Sequence, residues 1–346
     1  TSGAFRGDND KLTYQSLLAA PTRIVNMIQL GHALTRLEPP VKGLIVYNAN
    51  PASVNPDSAM VRQGLRREDL FTVVHEQVMS PTTRYADLLL PATTFLENLD
   101  LYSSYGHFYL GVAQPAIKPV GEARSNFDLF QGLALKMGFD DAVFHQSCEE
   151  RIVDYLGSVQ GLPESVSPRD ILAGSLVQST NSHSDGRVMT AAESRFYFSN
   201  EVLGGEPGFP CLLPGGEFED PDLQSRFPFK LFTPPHADLL NSTFGERCTD
   251  PSGDLLVHPE DAAAWGLIDG HEVVVENHRG RCTRTTRVTL DTPKGLVVAE
   301  GLFWSQDGAE EEGRGINDLT SQKLTDIGGG ATFHESLVSL RPGDAG

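Results

Sequence analysis

Residues 43–51 read GLIVYNANP, a short apolar run that ends abruptly in polar side chains and a proline. Two further apolar runs follow at residues 70–74 and 88–91. Short runs of this kind are typical of buried strands. The stretches between them, 57–65 and 81–86, are predicted to form short helices. Because strands alternate with helices, the sequence predicts a parallel sheet.

Polar side chains stand directly after the first two predicted strands. Asn48 and Asn50 follow the first strand, and His75 and Glu76 follow the second. In an open parallel sheet, ligands bind beyond the carboxyl ends of the strands. These four residues are therefore candidates for ligand binding. The alternative is that they cap the helices that follow, since Asn and Asp favour helix caps.

The second half of the chain has a different pattern. Residues 126–137 have apolar side chains at helical spacing, and Met137 is predicted to pack in the core with them. After a Gly- and Pro-rich crossing, the chain becomes rich in short strands, and we place the main domain boundary near residue 190. Strands at even spacing predict a closed barrel. They are predicted at residues 229–233, 271–277, 281–290 and 296–299, with a helix at 259–265.

Composition narrows the class of protein. The chain has 346 residues, which predicts two domains, and its 39% apolar content suits a folded protein. With 46 acidic against 27 basic residues, the net charge of -19 would repel nucleic acid and anionic lipid. No apolar stretch reaches 18 residues, so no membrane span is predicted. The four cysteines include no C-x-x-C pair, so no protein-bound metal is predicted in this chain.

Residues 74–92 read VHEQVMSPTTRYADLLLPA and closely resemble a signature of the molybdopterin oxidoreductases. Five other stretches resemble motifs of the same family, in the same order: 48–51, 95–97, 116–124, 258–267 and 317–320. The likeness runs from residue 1 to about residue 342. The chain therefore resembles the C-terminal half of an oxidoreductase of the dimethyl-sulfoxide-reductase superfamily.

This resemblance implies an α/β plus β fold. Residues 1–190 would be the C-terminal part of the α/β domains, with a partial Rossmann-like parallel sheet. Residues 191–346 would be a double-psi β-barrel, the molybdopterin-dinucleotide-binding domain, which is of the aspartate-decarboxylase-like type. Family members place the protein ligand of the metal, and a 4Fe–4S cluster when present, in the other half.

The cofactor implied by the resemblance is molybdopterin guanine dinucleotide, two per Mo or W. Its contacts in the α/β region would fall on Asn48, Asn50, Pro51, His75, Glu76, Thr82 and Asp87. Among these, a carboxylate at Asp87 suits the two N–H donors on the edge of guanine. Glu76 would bind a ribose hydroxyl, and Thr82 would donate to a phosphate.

In the barrel, the implied cofactor contacts are Thr233, Pro234, Asn241, Ser242, Asn317, Phe333 and His334. Three positions depart from relatives. Pro235 and His236 stand where some relatives carry Arg and Glu. Leu239 stands where formate dehydrogenases carry a catalytic His, which argues against formate oxidation.

The implied function is cofactor binding within a Mo or W oxidoreductase that transfers an oxygen atom or removes two electrons from a small molecule. No catalytic residue is assigned in this chain, which we expect to be inactive without the N-terminal half. Expected partners are that half and an electron-transfer subunit, in the cytoplasm. The alternatives are a non-redox hydratase, a structural or assembly module, and a barrel protein like aspartate decarboxylase.

Overall fold

The computed structural model describes residues 5–18, 20–103, 107–180, 216–247, 253–303, 315–326 and 328–343. The chain divides into two compact units: residues 1–23 with 91–199, and residues 24–90 with 200–346. The predicted domain boundary near residue 190 falls in 181–215, outside the described residues.

The described elements are numbered in chain order. The α-helices are α1 (Asp10–Thr13), α2 (Leu30–Arg36), α3 (Pro51–Val54), α4 (Ser58–Leu65), α5 (Asn126–Lys136), α6 (Cys148–Leu156), α7 (Pro168–Leu172), α8 (Pro221–Arg226) and α9 (Pro259–Trp265). The strands are β1 (Gly43–Tyr47), β2 (Phe71–Glu76), β3 (Leu88–Pro91), β4 (Asp100–Tyr102), β5 (Tyr109–Ala113), β6 (Val177–Gln178), β7 (Phe229–Phe232), β8 (Asp254–Val257), β9 (Glu272–Glu276), β10 (Arg281–Val288), β11 (Leu296–Val298) and β12 (Ser336–Pro342).

The first strands form the predicted parallel sheet. The order is β1-β2-β3, and β1 and β2 run parallel with Gly43 opposite Phe71 and Tyr47 opposite His75. The prediction of buried strands is wrong for one face: Ile45 is 42% exposed, whereas its neighbour Val46 is buried. Successive side chains of a strand point to opposite faces, and only one face packs against the apolar cluster of the helices.

The later strands close into a six-stranded barrel in the order β10-β8-β11-β7-β12-β9. Two neighbouring pairs are parallel, β7 with β11 and β8 with β10, and the other neighbours are antiparallel. Alternate side chains fill the interior; Val273 and Val275 on β9 and Cys282 on β10 are fully buried. The predicted fold, a parallel-sheet region followed by a double-psi barrel, is confirmed.

The other unit contains the antiparallel sheet β4-β5-β6 and helices α5 to α7. Its core includes Leu110, Leu156 and Ile171. Helix α5 forms as predicted, but the prediction that Met137 packs in the core is wrong, because this residue is 65% exposed. Met137 is the C-cap of the helix, and the chain turns away at Gly138 with a φ of 86°.

No helix in the described part of the chain combines the length and apolar character needed to cross a membrane.

Candidate functional site

A buried polar network lies just beyond the carboxyl end of β1. Asn50 is 6% exposed, and its Oδ1 accepts hydrogen bonds from the Thr82 backbone N–H at 3.2 Å and from the Thr82 hydroxyl at 2.7 Å. The Thr82 hydroxyl oxygen in turn accepts from the Ala52 N–H at 3.1 Å. The sole hydroxyl hydrogen of Thr82 is therefore given to Asn50, so Thr82 holds Asn50 in place instead of donating to a phosphate in this arrangement.

The amide nitrogen of Asn50 differs from the amide oxygen in its hydrogen bonding. Its Nδ2 is buried, and nothing among the described residues accepts a hydrogen bond from it. A buried donor without an acceptor costs roughly 1–3 kcal/mol, so a native structure normally satisfies it with a ligand or water. Asn50 is therefore suited to a ligand that carries a hydrogen-bond acceptor.

The capping alternative does not hold for this side chain. Asn50 is the N-cap of α3, and Pro51 is the buried first residue of that helix, yet the Asn50 side chain makes no cap hydrogen bond. Asn48 is exposed and has a φ of 51°, a left-handed conformation that Asn tolerates in turns.

His75 and Glu76 end the neighbouring strand β2. His75 is 2% exposed. The Glu76 carboxylate accepts from the Gln77 N–H at 2.8 Å and from the Ser80 hydroxyl at 3.2 Å. Burial nevertheless raises the pKa of Glu76, and the nearby Glu246 carboxylate adds to that rise. Both side chains lie at the edge of the sheet where ligands are expected.

Asp87 lies at the opposite edge of the same sheet. Its N–H donates to the Thr72 carbonyl at 2.8 Å, and its Oδ2 accepts from the Thr72 N–H at 2.6 Å. Thr72 is the second residue of β2, whereas Glu76 ends it, and the four residue steps between them span about 13 Å. The structure therefore does not bring Asp87 together with the other candidates. Its role as guanine ligand stays a prediction, and its observed contact is that of a residue that fixes the start of β3.

A cavity of 260 Å³ is lined by most of the barrel residues that were predicted as cofactor contacts. The residues that line it are Val54, Thr233, Pro234, Pro235, His236, Asn241, Gly301, Leu302, Asn317 and Phe333. Five of these were predicted as cofactor contacts: Thr233, Pro234, Asn241, Asn317 and Phe333. Val54 is the last residue of α3, so the helix that follows Asn50 forms part of the wall.

Asn317 lines this cavity but uses its polar atoms elsewhere. Its Nδ2 donates to the carbonyls of Ser53 at 2.8 Å and Val54 at 3.0 Å, and its Oδ1 accepts from the Thr320 hydroxyl at 3.2 Å. Asn317 is 3% exposed. It therefore supplies donors to the last carbonyls of α3, which have no partner within the helix.

The next residue, Asp318, makes a buried ion pair that sequence analysis missed. Both of its carboxylate oxygens lie 2.9 Å from Nη2 of Arg62. Nη1 of Arg62 also donates to the Ala52 carbonyl at 3.3 Å. We call Arg62, Asn317 and Asp318 the clasp, because together they hold α3 against the segment 315–320.

The remaining candidates lie outside the lining of this cavity. The His334 ring packs on Phe232 with ring centroids 4.4 Å apart, and its Nδ1 lies 3.5 Å from the Thr233 N–H. Ser242 accepts from the Gly245 N–H through its carbonyl. Both residues shape the loops that carry Thr233 and Asn241, and their direct contact with a cofactor stays a prediction.

A larger cavity of 560 Å³ adjoins the first at His236. Leu239, buried at 9% exposure, lines it together with Phe244 and Phe303. Neither His236 nor Gly301 was predicted from the sequence as a site residue. Both follow barrel strands, so a search of residues just beyond strand ends would have found them. In the described ranges, His, Cys, Asp and Glu side chains form no group of three suited to a metal ion.

Two family profiles match the chain. The one described as "Molybdopterin oxidoreductase" matches residues 23–136, and the one described as "Molydopterin dinucleotide binding domain" matches residues 234–337. The first match contains Asn50, Thr82 and Asp87, and the second contains the cavity-lining residues of the barrel from Pro234 to Phe333.

Comparison with single proteins is consistent with the two profile matches. The chain is 34% identical to the probable oxidoreductase YoaE of Bacillus subtilis (strain 168) over 98% of this chain and 50% of that protein. It is 25% identical to acetylene hydratase of Syntrophotalea acetylenica over 79% of this chain and 39% of that protein. The solved structure of acetylene hydratase from Pelobacter acetylenicus superposes with a TM-score of 0.72 at 21% identity, covering 92% of this chain and 46% of the other, which shows a shared fold. The chain spans about half the length of the curated relatives it matches.

Proposed function

From the premise that this chain belongs to the molybdopterin oxidoreductase family, we propose that it binds molybdopterin guanine dinucleotide between the Asn50 turn and the barrel loops. The observation that carries this proposal is the buried Nδ2 of Asn50, for which the described residues supply no acceptor, next to a helix that walls the 260 Å³ cavity. The complete protein would be a Mo or W enzyme that transfers an oxygen atom or dehydrogenates a small molecule.

The residues at the site suit the chemistry of this cofactor. Asn50 offers an amide donor, Asn241 an amide and Thr233 a hydroxyl, and these groups pair with phosphate oxygens and with the polar edges of pterin and guanine. Phe333 offers an aromatic face, which stacks on planar rings in an offset arrangement. Pro234 restricts the loop backbone, so the cavity needs little reorganisation on binding.

When bound, the cofactor supplies the two-electron chemistry of its metal, and this chain supplies binding and orientation. The clasp fixes α3, and thereby the Asn50 turn, before any ligand arrives. In this proposal the protein ligand of the metal, any 4Fe–4S cluster and the contacts to an electron-transfer subunit belong to other parts of the protein.

The test uses the full-length native polypeptide. Mo and W are measured by mass spectrometry, and GMP is measured after acid hydrolysis. We expect about two GMP per metal atom, the stoichiometry of a bis(dinucleotide) centre. Absence of both metal and GMP would contradict cofactor binding and would favour a structural or assembly module.

A hydratase is the second candidate function, because one relative and one solved structure of similar fold are both acetylene hydratases. A hydratase adds water without net electron transfer, so it turns over with no electron acceptor or donor present. An oxidoreductase requires one. Activity of the metal-loaded protein, assayed with and without a redox dye, separates the two candidates.

A further inference from the structure

His236 lies between two cavities of the barrel. It follows β7 through Thr233, Pro234 and Pro235, and among the described residues it alone lines both the 260 Å³ and the 560 Å³ cavity. A ligand that extends from one cavity into the other must pass this side chain.

The tautomer of the His236 ring follows from its backbone contact. Nδ1 lies 3.1 Å from the N–H of Asp238, and a backbone N–H can only donate. Nδ1 is therefore the acceptor, so the neutral ring carries its proton on Nε2. No hydrogen bond holds Nε2 within the described part of the chain.

The position of the ring is restricted on other sides. Phe303 packs edge-on against it, with ring centroids 5.7 Å apart and an interplanar angle of 78°. The backbone at Gly301 passes so close that a Cβ there would lie 2.8 Å from the His236 Cβ. Gly301 has a φ of 76°, which also favours glycine. These contacts preorganise the ring, so little conformational freedom is lost when Nε2–H binds an acceptor.

We propose that His236 binds an oxyanion through Nε2–H at the junction of the two cavities, and so selects ligands that carry a phosphate-type group at this point. The inference rests on the proposed function, because it concerns the same site. Charge alone does not make this selection. Arg247 and Arg287 line the larger cavity beside three acids, and Arg287 lies 3.5 Å from Asp254. The directed N–H makes the selection, since hydrogen bonds to ionised acceptors are about twice as strong as neutral ones.

The oxyanion has two sources that share this chemistry: the diphosphate of the dinucleotide and an oxyanionic substrate. Two variants of the full-length protein test the role of Nε2. In His236→Gln, the side-chain amide nitrogen reaches the position of Nε2. In His236→Asn, the shorter amide reaches only the position of Nδ1. We expect Asn to lose the interaction and Gln to restore it.

Two readouts distinguish the sources. GMP per polypeptide reports the cofactor diphosphate, and calorimetric binding of inorganic phosphate reports a separate oxyanion. If the cofactor is the source, GMP content falls several-fold in His236→Asn and recovers in His236→Gln. If a substrate is the source, GMP is unchanged, and the Kd for phosphate rises about tenfold in His236→Asn and recovers in His236→Gln.

The inference is overturned if the wild-type protein contains GMP and both variants match it in both readouts. Absence of GMP from the wild type contradicts the proposed function instead, and phosphate binding then still measures the contribution of His236. A measurement on the wild type adds a check that needs no variant: ¹⁵N NMR of the histidine rings should show His236 protonated at Nε2, and a proton on Nδ1 would refute the assignment.

Discussion

Replacing Asp318 with Ala should destabilise the unit that contains the barrel, residues 24–90 with 200–346. The loss should exceed that from removing one partner of an exposed ion pair. The side chains of Arg62 and Asp318 are only 3% and 4% exposed, and two oxygens contact one guanidinium nitrogen at 2.9 Å. In Asp318→Ala, the Arg62 guanidinium loses the carboxylate that contacts it at 2.9 Å while remaining buried. Because water cannot reach it, the loss is not repaid by solvation.

The magnitude follows from that burial. Removing one partner of a buried pair costs about 3–5 kcal/mol, a large part of the total stability of an ordinary domain. For a unit of this size, each kcal/mol lowers Tm by about 2–4 °C, so the transition should shift down by about 6–20 °C. Replacing both residues, as in Arg62→Met with Asp318→Leu, removes both charges and should cost less than the single change.

Differential scanning calorimetry of the full-length protein measures this shift. Glu260→Gln is the matched control, because it breaks the pair with Lys294, whose side chains are 67% and 64% exposed. Such exposed pairs contribute little, so its Tm should not change. If Asp318→Ala and Glu260→Gln shift Tm equally, or if the double variant is the least stable, the clasp does not carry the stability assigned to it.

Further predictions concern the sheet. Asn50→Asp keeps an acceptor for Thr82 but removes the Nδ2 donor and places a carboxylate in a buried position, so the GMP content of the full-length protein and its Tm should both fall. Asp87→Asn keeps an oxygen for the Thr72 N–H, so Tm should hold, but it removes one of the two acceptors of the predicted guanine contact, so GMP content should fall. An unchanged GMP content would contradict the guanine role of Asp87. Burial raises the pKa of Glu76 above 4.5, so the folded state holds this proton more tightly and its stability falls as pH rises through that range. Glu76→Gln should therefore gain unfolding free energy relative to wild type from pH 4 to pH 7, and a constant difference would contradict the raised pKa.

Local patterns were sufficient to predict elements whose partners are close in sequence. Strands β1 and β2 were predicted from apolar runs, and the β9–β10 hairpin from alternation around a Gly-containing turn. Strand β12 was not predicted. It pairs with β7 and β9, and nothing within Ser336–Pro342 itself indicates partners so far away along the chain.

The sequence also predicted part of the candidate site. The rule that ligands bind at the carboxyl ends of parallel strands selected Asn50, and its amide nitrogen is buried without an acceptor in the described part of the chain. The same sequence motif selected Asp87, but motif membership does not say at which edge of the sheet a side chain emerges. That depends on pairing, and the contact with Thr72 places Asp87 at the amino edge.

The clasp gives a structural role to one predicted cofactor contact, Asn317. The sequence places Asn317 and Asp318 in a motif of the dinucleotide-binding domain. Asn317 lines the cavity, yet its Nδ2 donates to carbonyls of α3, and Asp318 binds Arg62 of α4. Apolar packing tolerates small shifts, whereas a buried amide or ion pair is satisfied in only one geometry. Polar groups at this contact therefore fix the position of the Asn50 turn against the barrel. Substitution of Asp318, more than 250 residues from Asn50 in sequence, should thus alter cofactor binding at Asn50 although Asp318 is not itself a predicted cofactor contact.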